Sequence, residues 1–252
     1  MVLGDLAWPE VKDLPFDQLV VLLPTGSFEQ HGRHLPLTTD TDIVSAIAQR
    51  AEQRLPQQTL LLPTLWPGLS THHMAFPGTM DVPQMPYIRL ITELGKSIAA
   101  MGARKAFLLN GHGGNDVPLR AACRELKTAC PQTRFIYASY WTLAAKAIRD
   151  VRESELSGLG HACEMETSIM LHLHPHRVKM ERAVRDGPTH TDAYRKADMQ
   201  YARPIFFVNE FHEVSKSGVV GHPDLATAEK GERFLTGIVE AVSDLVREFV
   251  KW

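Results

Sequence analysis

The 252-residue chain has only three cysteines, Cys123, Cys130 and Cys163, and no Cys-x-x-Cys pair. An odd, scattered set argues against a disulfide framework and predicts a reducing, cytoplasmic setting. No stretch approaches the roughly 20 apolar residues of a spanning helix, so no membrane segment is expected. The start of the chain carries Asp5, Glu10, Lys12 and Asp13 among its apolar residues. A basic start followed by an apolar run is missing, and no signal peptide is expected. Net charge is nearly absent: 27 Lys and Arg face 29 Asp and Glu, a formal −2. No global field therefore recruits nucleic acid or an anionic membrane. Repeats, low-complexity tracts and composition breaks are also missing, so residues 1–252 are expected to form one domain with a sizeable core. What the chain does have is histidine, 12 residues, several of them beside Glu, Asp and Gly in short clusters.

Periodicity supplies the frame. Leu19–Leu23 is a short, wholly apolar run ended by Pro24 and Gly26, the pattern of a buried parallel strand. Thr59–Leu65, Lys105–Leu109 and Arg134–Ala138 read as further strands. Between them, helical spacing links Ile43, Ile47, Ala51 and Leu55, with Asp42 as the expected cap, and then Tyr87 to Met101, stopped by Gly102. More helices are expected at about Val117–Thr128 and Glu164–Leu173, and a long amphipathic one from Leu225. Strands alternating with helices predict an α/β fold, a mostly parallel sheet covered on both faces.

In open α/β sheets, sites lie beyond the carboxyl ends of strands. Two polar clusters begin there: Gly26-Ser-Phe-Glu-Gln-His-Gly32 after the first strand and Asn110-Gly-His-Gly-Gly-Asn115 after the third. Glu29 and His31 are two apart, so in extended chain they point the same way. Asp40 follows a loop able to fold back, and His112 sits among glycines that let backbone approach a ligand closely. Two carboxylates and two imidazoles suit zinc, manganese or iron(II). Singly, each has a plainer role: Asp40 as a helix cap, the glycines as a turn. A third cluster runs from His161 to Ser168. There Glu166 shares a helical stripe with Ile169, Met170 and Leu173, and a carboxylate on an apolar stripe needs a cation or strong hydrogen bonds. Its alternative is a first-turn acid favoured by the helix dipole. Glu164 falls on the face of Ser168, which is expected to meet solvent.

Gly26 to Asp40 resembles the first signature of the creatininase (creatinine amidohydrolase) family, and Asn110–Asn115 its second. His73-Met-Ala-Phe-Pro-Gly-Thr79, His161–Ser168 and Gly218–Gly231 are similar to later segments, in the same order. The resemblance implies a three-layer α/β/α sandwich and a homo-oligomer, commonly a hexamer. It also implies two divalent metal ions per chain, zinc foremost, with manganese or iron as alternatives. By that resemblance Glu29 and His112 would hold one metal and His31 the other, with Asp40 bridging. His161 would lie at the substrate end, with His73 as a further substrate-binding residue. Creatininase carries Tyr and a metal-binding Glu where this chain has Gly113 and Gly114, and Trp and Asp where it has Ser157 and Gly158. The resemblance therefore leaves the second metal a ligand short, and Glu166 is the expected substitute. It also makes creatinine an unexpected substrate. Relatives with the Gly-Gly form include a formylamino-pyrimidine deformylase and a peptidase of mycofactocin maturation.

The expected activity is hydrolysis of a non-peptide C–N bond, in a small cyclic amide or a formamide, by metal-activated water. Glu166 or His161 would carry a proton to the leaving nitrogen. The competing readings are a mycofactocin-type peptidase, a metal-assisted lyase or isomerase, and a metal-binding protein without hydrolase activity.

Overall fold

A computed structural model describes residues 1–187, 192, 194, 198–201, 205 and 207–252. The strands are β1 (Val20–Thr25), β2 (Thr59–Leu61), β3 (Lys105–Asn110) and β4 (Arg134–Ser139). They form one sheet in the order β2-β1-β3-β4, every pairing parallel. Successive side chains on a strand face opposite ways, and the cores sort accordingly. Val20, Leu22, Phe107 and Leu109 pack on one side with the helices Thr39–Arg54, Glu164–Leu173 and Ala228–Lys251. Val21, Leu23, Ala106 and Leu108 pack on the other with Gln84–Ala100 and Asp116–Ala129. Unbroken apolar runs such as Leu19–Leu23 are required because both sheet faces are covered. Among the described residues no helix is long and apolar enough to cross a membrane.

Several boundaries differ from the sequence reading. The helix expected to be capped by Asp42 begins at Thr39, with Thr38 at the cap position. Asp42 instead accepts hydrogen bonds from Thr38 Oγ1 and Arg177. Asp40 thus lies inside the first helical turn, where the dipole favours a carboxylate. The second strand stops at Leu61, and Leu65 makes only an isolated bridge to Thr25. A two-stranded antiparallel ribbon of β5 (Leu159–His161) and β6 (Val220–Gly221) lies outside the main sheet. Its pairing of His161 with Val220 was not foreseen.

Glu164 requires the largest correction. It is fully buried, not solvated. Lys230 Nζ from the C-terminal helix sits 2.9 Å from its Oε1, and the backbone N–H groups of Glu153 and Ser154 donate to it at 3.0 and 2.8 Å. Every residue from Glu164 to Met170 is buried. Over these first two turns the helix is enclosed on all sides and has no solvent face for a stripe to oppose, so the stripe rule loses its basis here.

Candidate metal centre

The parallel register sets Thr25 beside Asn110 at the carboxyl ends of β1 and β3. The two polar loops therefore leave the sheet side by side. Two asparagines pin them. Asn110 closes on His112, its Oδ1 accepting from the His112 N–H at 3.1 Å and its Nδ2 donating to the His112 carbonyl at 2.7 Å. Asn115 Nδ2 donates to the Gly26 carbonyl at 2.9 Å, and Asn115 Oδ1 accepts from the Leu69 N–H at 3.0 Å. One amide thus ties together three loops far apart in sequence.

Onto this frame come three buried carboxylates, Glu29, Asp40 and Glu166, and four buried histidines, His31, His73, His112 and His161. Ligand atoms of Glu29, Asp40 and His112 lie within 4.8 Å of one another, as do those of His31, Asp40 and Glu166. Asp40 belongs to both groups. Its Oδ2 faces His112 Nδ1 at 3.0 Å, and its Oδ1 faces His31 Nε2 at 3.1 Å. Glu166 reaches the centre from the third position of its helix, where it also accepts from the Cys163 N–H at 3.3 Å. The first-turn position that the helix dipole favours and proximity to the centre, alternatives by sequence, occur together. Glu29, His31, His161 form a third such group.

The imidazole protons can be assigned from their outer partners. A backbone carbonyl only accepts. The Leu69 carbonyl lies 2.9 Å from His112 Nε2, and the Glu29 carbonyl 3.3 Å from His31 Nδ1. Those nitrogens carry the protons, so His112 Nδ1 and His31 Nε2 turn lone pairs inward. On Glu29, Oε2 accepts from Ser27 and Ser70 at 2.9 and 2.7 Å, and Oε1 is left facing the centre. Glu29 Oε1, His31 Nε2 and Asp40 Oδ2 are buried without an aligned hydrogen-bond partner. Acceptors at 3.0–3.2 Å with nothing aligned between them repel one another. Among the described residues no Lys or Arg pairs with any of the three carboxylates. A buried, acceptor-only cluster of O and N atoms is what a divalent cation requires, so the donor set fits a metal pair.

The electrostatics carry the same signature. Burial lowers the basicity of His31, but the Asp40 charge beside it raises it further, to about 9. His112 is likewise raised, burial being outweighed by Glu29 and Asp40. Burial would raise the Glu29 carboxyl, yet His112 and His73 hold it well below the usual range. Glu166 is pushed up to about 7, by burial first, with His31 opposing and Asp40 adding. Without a cation, protons occupy the inward nitrogens in its place.

Phe211, on the short helix Phe211–Val214, stacks on His73 with ring centres 3.9 Å apart and meets His161 edge-on at 4.7 Å. Sequence reading gave no hint of Phe211, which approaches from more than a hundred residues away. Ser27 and Gln30 lie within the first motif and Ser70 just before the His73–Thr79 segment, but residue type alone assigns them nothing. Gly114 has a tight reason to be glycine. A Cβ there would lie 2.1 Å from the Leu69 carbonyl and 2.5 Å from His112 Nε2. Beside Gly113 there is open space.

A sequence model described as creatininase, creatinine amidohydrolase, matches residues 4–246. The mycofactocin precursor peptide peptidase of Mycobacterium ulcerans (strain Agy99) is 34% identical, over 100% of this chain and 92% of that protein. The creatinine amidohydrolase of Pseudomonas putida is 27% identical, over 97% and 95%. A solved structure described as creatininase Mn superposes with a TM-score of 0.81 at 27% identity, covering 98% of this chain and 97% of that one. With the family match running nearly end to end and a solved creatininase superposing over nearly the whole chain, the chain belongs to the creatininase family of amidohydrolases.

Proposed function

We propose that this chain is a metal-dependent amidohydrolase whose residues 1–252 work as one catalytic domain, opening a C–N bond of a small cyclic amide or formamide. Glu29, Asp40 and His112 would hold one divalent cation, and His31, Asp40 and Glu166 a second, with zinc the first choice and manganese or iron as alternatives. The supporting observation is the convergence of carboxylate oxygens and of imidazole nitrogens, whose outer nitrogens are held by backbone carbonyls, on a buried space where, among the described residues, no Lys or Arg pairs with the carboxylates. Cations held there supply Lewis acidity, which acidifies water and polarises a carbonyl oxygen. A ligating carboxylate must be ionised, which removes Glu166 from proton transfer and leaves that work to His161. His161 turns Nδ1 inward, 3.8 Å from Glu29 Oε1, placed to take a proton and return it to the leaving nitrogen. His73 and the Phe211 ring stacked on it form a flat wall against which a planar amide packs and from which water is excluded.

A peptide substrate is the second reading. Identity is higher to the mycofactocin precursor peptide peptidase than to creatinine amidohydrolase, and the room beside Gly113 suits a longer substrate. One experiment tests both. Chelator-treated protein is reloaded with zinc, manganese or iron(II) and offered cyclic amides, formamides and short peptides in heavy-oxygen water. Metal-restored turnover that installs solvent oxygen is expected. Full activity without metal, or product lacking the label, would overturn the reading.

A further inference from the structure

Gln30 is buried, and backbone groups fix its amide at both ends. Oε1 accepts from the Gly32 N–H at 2.9 Å, and Nε2 donates to the Gly218 carbonyl at 3.1 Å. An N–H only donates and a carbonyl only accepts, so the amide cannot be turned over. The remaining Nε2 hydrogen has two ring nitrogens in reach, His73 Nδ1 at 2.8 Å and His161 Nε2 at 3.2 Å, and because His161 Nε2 donates to the Gln30 carbonyl it is His73 Nδ1 that takes it. That nitrogen must accept, and His73 therefore carries its proton on Nε2. The same residue acts again through its backbone. The Gln30 carbonyl lies 2.8 Å from His161 Nε2, so His161 also carries its proton on Nε2.

The two rings face the centre differently. His73 presents Nε2, 3.2 Å from Glu29 Oε1, and His161 presents Nδ1 toward the same oxygen. Glu29 Oε1 receives no aligned hydrogen bond, so the His73 N–H is not spent on it. Two imidazoles with centres 4.6 Å apart thus offer the centre one N–H and one lone pair.

We propose that Gln30 is a positioning residue that presents His73 to the centre as a hydrogen-bond donor while holding His161 as the proton acceptor. The use of that donor rests on the amidohydrolase reading. In that reading Glu29, Asp40, Glu166, His31 and His112 are taken up as metal ligands and none of them has a hydrogen to offer a carbonyl oxygen on which negative charge grows. Among the described inward-facing side chains, the His73 N–H is oriented to receive it.

Two-bond ¹⁵N–¹H correlation spectra of zinc-loaded, ¹⁵N-histidine-labelled protein test the assignment. In the unaltered protein both His73 and His161 are expected as Nε2–H tautomers. In Gln30→Glu the introduced carboxylate has no hydrogen to give, so the His73 proton moves to Nδ1. His161 keeps its Nε2–H, because the backbone carbonyl it donates to survives the substitution and the carboxylate placed near Nε2 can likewise only accept. Loosened packing would disturb both rings alike. If the carboxylate variant does not fold, Gln30→Met is used, and His73 is expected to populate both tautomers while His161 keeps one. The proposal is overturned if His73 carries its proton on Nδ1 in the unaltered protein, if it keeps Nε2–H in the folded variants, or if His161 changes with it. Zinc content of the same samples reports separately on the metal reading, because the backbone partners of Gln30 do not depend on a cation.

Discussion

Glu164→Gln and Glu166→Gln each remove one carboxylate from the same helix, two residues apart, and should fail in opposite ways. Glu164 is an acceptor for two backbone N–H groups and for the buried Lys230 ammonium. Its carboxyl is held below the usual range by Lys230 and Ser154, despite the opposing effect of burial. The amide variant keeps the shape but loses the charge opposite Lys230. Lys230 still has Glu153 at 2.9 Å and the Leu225 carbonyl at 2.6 Å, which caps the damage. A charge-assisted hydrogen bond is worth about 1.5–3 kcal/mol, or roughly 3–12 °C in Tm for a chain of this size. Metal content should be untouched, since among the described residues no metal-type cluster includes Glu164. Glu166 behaves in reverse. With its carboxyl pushed up to about 7, it is already partly neutral in the metal-free protein, and an isosteric amide costs little there. The loaded protein loses an anionic ligand from the His31–Asp40 side. Metal analysis and thermal unfolding, with and without chelator, read both effects. Glu166→Gln should bind about one metal fewer per chain, with its metal-free Tm little changed. Loss of metal from Glu164→Gln with both ions kept in Glu166→Gln would refute the assignment, as would full metal content in both.

Metal affinity should depend on pH with a defined sign. The metal-free His31 is raised to about 9, so a cation binding at pH 7 must displace its proton. Apparent zinc affinity should rise roughly tenfold per pH unit for each proton displaced, and level off near pH 9; a flat profile from pH 7 to 9 would refute the proton assignment. By the same shift, the stability His31 gives the metal-free fold is fully present below its unfolded value, about 6.5, and fades as pH rises through about 9. Metal-free Tm should therefore fall over that window. Creatinine should be a poor substrate, because the family resemblance implies larger side chains where this chain has Gly113, Gly114, Ser157 and Gly158; turnover near 10 per second would show otherwise. The chain is also expected to form a homo-oligomer, as the family resemblance implies. Trp66 and Met80, both beside Phe28, are about half exposed and suit a covered face; light scattering that returns 28.2 kDa at micromolar concentration would refute this.

Much of the frame was legible because it follows from local rules. A parallel sheet covered on both faces demands unbroken apolar strands, and helices between them demand a 3.6-residue period. Both patterns stand in the primary chain. Chemistry at strand ends was legible for the same reason, since Glu29 and His112 follow apolar runs directly. The sequence could not say how separate segments approach one another. Glu164 and Glu166 differ by two residues, but Lys230 and the N–H groups of Glu153 and Ser154 claim one, and His31 and Asp40 lie beside the other. Periodicity chose Glu166 for a reason that fails, as the first two turns of the helix have no solvent face. Phe211 and the roles of Gln30 and Ser70 were hidden for a related cause: each is defined by partners distant in sequence. By itself the sequence determined the layers, the strand-end loops and most of the residue types that gather there. Only the tertiary structure decided which carboxylate is neutralised by a lysine, which nitrogens turn inward bare and which glycine has no room for a side chain. Those are properties of distance and direction between remote segments, and no local pattern encodes them.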